Sequence, residues 1–312
     1  MKLLVRVALA ASILALKLPL SAQTITQTAR QDILQFPNSA QLDELRSKAR
    51  RDDATAQYEL GYLLEHGVGV EQNLAESVTL YSRSAQLHNS KAQHRLGTLY
   101  EKGLGVPKDT KRAVELYRTA AEQGEPAAQS DLATAYLNGL GVHKNFVQAA
   151  AWYRKAAEQG DSVALNNLGA LYYNGWGVPR DYAQALYWYQ RAADQGKPAA
   201  KNNLGVMYEK GLGTNTNLPT AARFYLDAAT HGDRMAQFNL ASLYATGRGV
   251  PLDYVSAYVW YQLAGRAGDR RAVLQMKSLE IVMTPRQLEQ ARDRLSGNLS
   301  GLSTSSSSRQ MN

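Results

Sequence analysis

Small and apolar residues return along this chain at helical spacing, in stripes interrupted by glycine-rich breaks. Between Ala164 and Lys197 the pattern is complete. Ala164, Leu168, Gly169 and Tyr172 fall on one face of a helix. Asn174-Gly175-Trp176-Gly177-Val178-Pro179 interrupts the rhythm, with Gly175 placed to end a helix on a left-handed residue. Asp181 is suited to cap the next helix. Ala185, Trp188, Tyr189, Ala192 and Ala193 then form a second stripe, and Gly196 closes it.

The break, read alone, resembles a loop for a phosphate, but it recurs. HGVGVEQN begins at His66, KGLGVPKD at Lys102, NGLGVHKN at Asn138, NGWGVPRD at Asn174, KGLGTNTN at Lys210 and TGRGVPLD at Thr246, each 36 residues after the last. A fixed period of this length marks stacked supersecondary units. Six phosphate loops are implausible in so small a chain; six identical turns are not. Asparagine or aspartate holds the second cap in every unit (Asn73, Asp109, Asn145, Asp181, Asn217, Asp253), and tyrosine recurs in every second helix (Tyr81, Tyr117, Tyr153, Tyr189, Tyr225, Tyr261). Neither helix of a unit could bury its stripe alone, so neighbours must stack. The expected fold is all-α, a right-handed α-solenoid of six helix-turn-helix repeats at 56–91, 92–127, 128–163, 164–199, 200–235 and 236–271.

These residues resemble the Sel-one-like repeat family of the tetratricopeptide superfamily, whose pattern A-x-x-x-LG-x-x-Y-x-x-G-x-G-V-x-x-D…A-x-x-W-Y-x-x-AA-x-x-G is matched nearly throughout by Ala164 to Lys197. The first unit departs from it at Leu64, Ser77 and His88, and the fifth in its loop, Thr214 to Pro219. A capping helix is expected at 41–55 after a linker at 23–40. Capping helices at 272–295 follow the repeats, the last opened by Thr284 and Pro285, and the serine-rich stretch 296–312 reads as disordered.

The start, MKLLVRVALAASILALKLPLSAQ, has the basic end, apolar segment and small-residue site of an export signal, with cleavage expected after Ala22. The apolar run is too short to span a bilayer. Cysteine is absent, which excludes disulfides, thiolate catalysis and cysteine-bound metal. The formal charge of +8 falls to +5 without Lys2, Arg6 and Lys17. Of that, +4 lies beyond Leu263 and little on the repeats, unlike a nucleic-acid-binding array. The five histidines occupy different places in their units, with no His-Glu-x-x-His and no Gly-x-Ser-x-Gly elbow in the chain. No cofactor, metal or catalytic residue is expected. The aromatic row Trp152, Trp188, Phe224 and Trp260 is spaced as core, while Trp176 sits in a loop and reads as partly exposed.

One row of polar residues recurs inside helices. Counted from each unit's opening alanine, the third place is Asp131, Asn167, Asn203 and Asn239, and the second adds Asn166 and Asn202. Asparagine is a poor helix former, so its recurrence needs a reason. In tetratricopeptide relatives such asparagines on the concave face bond a bound peptide's main chain, and an amide supplies both donor and acceptor for that task; the alternative is a tie between units. Leu137 and Tyr173, at the ninth place, offer an apolar anchor beside them. These six residues form the candidate groove. The expectation is an exported, non-enzymatic scaffold that binds a protein or extended peptide, in bacterial envelope signalling, assembly or host interaction. A cell-wall-active penicillin binder or hydrolase, related to the cysteine-rich secreted branch of the family, is the alternative; a lumenal adaptor of a eukaryotic secretory pathway is a third.

Overall fold

The computed structural model describes residues 37–297. The expected signal at 1–22 and nearly all of the serine-rich tail lie outside the described residues. Among those described there are fifteen helices and no strand, divided into two compact units at Glu125/Pro126.

The first unit contains α1 (Ser39–Arg50), α2 (Ala54–His66), α3 (Leu74–Gln86), α4 (Ser90–Lys102) and α5 (Thr110–Glu122). The second contains α6 (Pro126–Asn138), α7 (Phe146–Glu158), α8 (Ser162–Asn174), α9 (Tyr182–Asp194), α10 (Pro198–Lys210), α11 (Leu218–Thr230), α12 (Arg234–Thr246), α13 (Tyr254–Arg266), α14 (Arg270–Val282) and α15 (Pro285–Ser296). Helix α1 starts two residues ahead of the expected 41, because Asn38 and Gln41 close a reciprocal capping box.

Capping fixes the helix starts. Each of the six aspartates and asparagines expected to open a second helix accepts a hydrogen bond from the amide three residues on. A second set, not foreseen, opens first helices: Asp53, Asn89, Asp161 and Asp233 each accept the amide of the following unit-opening alanine. First helices therefore begin two residues before that alanine.

The glycines serve packing. Gly177 has φ +72°, and a Cβ there would lie 2.1 Å from the Phe146 carbonyl oxygen, so the loop of one repeat is pressed onto the second helix of the repeat before it. In α8, a Cβ on Gly169 would meet the Tyr189 ring at 2.7 Å, which explains the recurring Leu-Gly pair opposite the recurring tyrosine. Tyr81, Tyr153 and Tyr225 are fully buried, and alanines complete the stripes between them. Within each unit every first helix packs on its own second helix and the latter on the next first helix. Helix α15, the last among the described residues, packs on α13, and its Ala291 is buried.

Candidate functional site

In the second unit the asparagine row forms bonded seams. Asn167 donates through Nδ2 to the Tyr153 hydroxyl at 3.0 Å, and that hydroxyl meets Thr134 Oγ1 at 2.8 Å. Asn166 donates to Asn167 Oδ1 at 3.4 Å. From the following repeat, Asn203 Nδ2 donates to Asn166 Oδ1 at 3.1 Å. One repeat further, Asn239 Nδ2 donates to Asn202 Oδ1 at 3.0 Å. The second and third places thus interlock diagonally, and each cross-repeat bond links the first helices of adjacent repeats.

This satisfies amides that would otherwise weaken a helix. It also leaves each amide with capacity to spare, since Nδ2 carries two donors and the oxygen two lone pairs. The six residues of the candidate groove are brought together in part. Asn167, Asn203 and Asn239 lie half-buried along the first helices, bonded as described, and Asp131 is half-buried at the equivalent place of α6. Leu137 and Tyr173 are half-buried too, but they lean into the core cluster of the second unit, with Tyr173 edge-on to Tyr182 at 5.5 Å. Trp176 is 45% exposed and stacks on Phe146 at 5.4 Å.

Glutamates at the ninth place look like rim charges in the sequence and prove to be tethered. The tyrosine sixteen residues later donates its hydroxyl to each: Tyr81 to Glu65 at 2.8 Å, Tyr117 to Glu101 at 2.7 Å and Tyr225 to Glu209 at 2.8 Å. Burial, joined by the glutamate, drives the Tyr81 and Tyr225 phenols far above their ordinary pKa. For Tyr153 burial again raises the pKa, while hydrogen bonds with Thr134 and Asn167 pull it back. The constant spacing of glutamate and tyrosine was the signal in the sequence. In the first unit, Arg95, at the third place, also reaches Glu65 in an ion pair. Glutamines tie the far ends of the helices: Gln123 donates to Gln93 at 2.7 Å, and Gln159 to Gln129 at 2.9 Å.

Among the described residues no group of three His, Asp or Glu side chains is arranged to hold a metal ion, and no helix is long and apolar enough to cross a membrane. What the fold presents is a row of amides and small side chains on tandem helix pairs. That defines an all-α repeat protein of the helix-turn-helix class. Residues 54–89, 90–125, 126–161, 162–197, 198–233 and 234–269 each match the Sel1 repeat, and the chain belongs to that family.

Two solved structures are similar over most of this chain. One is c5321, described as a protective antigen of uropathogenic Escherichia coli strains displaying an SLR fold. It shares 35% identity over 80% of this chain, with a TM-score of 0.72. This chain spans only 54% of that protein's length. The other is a Sel1 repeat protein from Oxalobacter formigenes, 34% identical, with 75% of this chain and 96% of that one aligned and a TM-score of 0.68. No curated protein matches the chain at the same stringency.

Proposed function

We propose that this chain is an exported, non-enzymatic scaffold that holds a protein or an extended peptide against the face formed by its first helices. Stacked helix pairs present long continuous surfaces and typically serve as interaction scaffolds. The observation that carries the reading is the asparagine row: its cross-repeat bonds use one N–H of Asn203 and of Asn239. An amide held in place with a carbonyl and an N–H to spare suits an uncharged peptide backbone. Export rests on the start of the sequence, and the antigen among the similar proteins fits a place in or beyond the bacterial envelope.

The test is to select peptides from a random displayed library on the chain from Gln23 to Asn312. Binding of the selected peptides is then compared with that of Asn167→Ala/Asn203→Ala/Asn239→Ala. Each lost bond should cost about 0.5–1.5 kcal/mol of binding, so the triple variant should bind at least about tenfold more weakly, with little dependence on salt. A triple variant that melts earlier yet keeps its affinity would make the asparagines ties alone and overturn the site. Cleavage after Ala22 is checked by mass spectrometry of the protein from the envelope fraction, where an intact Met1 would overturn the signal.

A further inference from the structure

We infer that the exposed face of α14 docks an acidic amphipathic helix from a partner protein, a second surface separate from the asparagine row. Within the second unit, the residue at the second place of each first helix is covered by the next repeat. Asn166 is held by Asn203 and Asn202 by Asn239, and the Phe238 ring lies under the Arg271 guanidinium at 4.3 Å. The ninth place is covered likewise, as where Glu209 receives Arg248 at 3.3 Å. On α14 these two places are Leu274 and Ile281, and no further repeat follows among the described residues. Leu274 is 65% exposed, Ile281 85% and the adjoining Val282 57%. Helix α15 packs on α13 and leaves this row open.

The row continues an interface that the chain already uses between repeats, so its shape is that of a surface built to receive a helix. Its charge selects the kind of helix. Arg270 and Lys277 lie on one rim of the face, exposed and without an ion pair among the described residues. Arg271 is taken by Asp269 at 2.7 Å. The nearby carboxylate, Glu280, is itself exposed but is engaged on α13, accepting from the Tyr258 hydroxyl at 2.9 Å. Apolar side chains beside two cations that no ion pair holds among the described residues fit a helix with an apolar ridge and glutamates or aspartates beside it.

The probe is a stapled, fluorescent helical peptide of the same 13-residue length as α14, with leucine and alanine on one face and glutamate on the other. A control peptide carries lysine for glutamate, and vesicles of phosphatidylglycerol with phosphatidylcholine provide a third arm. The chain from Gln23 to Asn312 should bind the acidic peptide at least about tenfold more tightly than the basic one. Leu274→Asp/Ile281→Asp should abolish that binding, and Arg270→Glu/Lys277→Glu should reverse the preference. All four positions are exposed, so unchanged circular-dichroism melting confirms that the variants fold. The asparagine triple variant should bind the acidic peptide normally, which separates failure here from failure of the proposed groove. Equal or absent binding of the two peptides overturns the inference. So does vesicle binding, or a concentration-dependent dimer, that is lost in Leu274→Asp/Ile281→Asp while the acidic peptide stays unbound.

Discussion

Adjacent first helices are joined from the same position in both units, the third place, yet with different chemistry and different partners. In the first unit Arg95 reaches across to Glu65, which also accepts from Tyr81, so the seam is an ion pair braced by a phenol. In the second unit Asn203 reaches across to Asn166 and Asn239 to Asn202, so the bonds between first helices are uncharged, and the charged contact to Glu209 comes from a loop residue, Arg248. Arg95, Asn203 and Asn239 all stand three residues after a repeat-opening alanine. The period sets the reaching position; its occupant differs, and so does the partner, at the ninth place for Arg95 and at the second for Asn203 and Asn239. A charged seam is costly to break, since removal of one partner strands the other in a partly buried place. An amide seam costs less to break and can be re-bonded by water or ligand.

The largest expected effect of a single substitution comes from Glu65→Ala. Glu65 and Arg95 keep only 11% and 26% of their side chains exposed, so screening by solvent is limited. The substitution orphans both the guanidinium and the Tyr81 hydroxyl and should cost about 2–3 kcal/mol of stability. A urea titration measures it. A loss no larger than that of the amide variant below would show that the two seams are equivalent.

Alkali should act next. Burial raises the Tyr81, Tyr153, Tyr189 and Tyr225 phenols above their unfolded value. The stability they confer is therefore complete below the unfolded pKa of about 10 and falls as pH rises through the folded values, by about 1.4 kcal/mol per pH unit for each phenol that stays protonated. Tyrosinate absorbance should appear together with loss of helical circular dichroism. The two kinds of tyrosine partner, carboxylate and amide, should separate under mutation. Glu209→Gln narrows the window for Tyr225, because the carboxylate pushes its pKa up, and Asn167→Ala widens it for Tyr153, because that hydrogen bond pulls its pKa down. Shifts in the opposite directions would contradict the assignment of these partners.

Much of this was legible in the sequence for a specific reason. Whatever the backbone period enforces recurs every 36 residues: leucine followed by glycine or alanine opposite tyrosine, the second-helix caps, the left-handed glycines. What lies across an interface is harder to read, because one residue can face several partners at the same place. Glu65 and Glu209 look like rim charges until their tyrosines are seen beneath them. Leu137 and Tyr173 look like an anchor for a ligand, yet their side chains lean on the core. Leu274 and Ile281 have the residue types of a core row, and they are surface because no helix covers them among the described residues.

A smaller effect should follow from Asn166→Ala. It removes the acceptor for Asn203 and the donor to Asn167, both half-buried, and should cost about 1 kcal/mol after alanine's better helix propensity is counted. The test of the comparison is salt. Half-molar salt should shrink the penalty of Glu65→Ala, because an ion pair is screened, and leave that of Asn166→Ala unchanged. Equal salt responses would mean that charge is not what distinguishes the seams.

The smallest effect concerns a feature that both seams share, the cap three residues ahead of each opening alanine. In α10 the capping place is Lys197, which makes no side-chain cap bond. Its backbone, at φ −68° and ψ 114°, nonetheless matches that of Asp161 at −62° and 117° and Asp233 at −68° and 111°. An aspartate would thus find the geometry ready, and it would replace a cation by an anion at the positive end of the helix. Lys197→Asp should stabilise the chain by about 0.5 kcal/mol, whereas Asp161→Lys, the mirror substitution, should cost about 1 kcal/mol because it removes an existing bond. Both are read as shifts in the urea midpoint at constant slope. Caps act within a helix, so neither variant should alter the salt response of Glu65→Ala or Asn166→Ala. A changed response in the Asn166→Ala background would mean that the amide seam depends on how α10 begins, and that local capping and cross-repeat bonding are one coupled device.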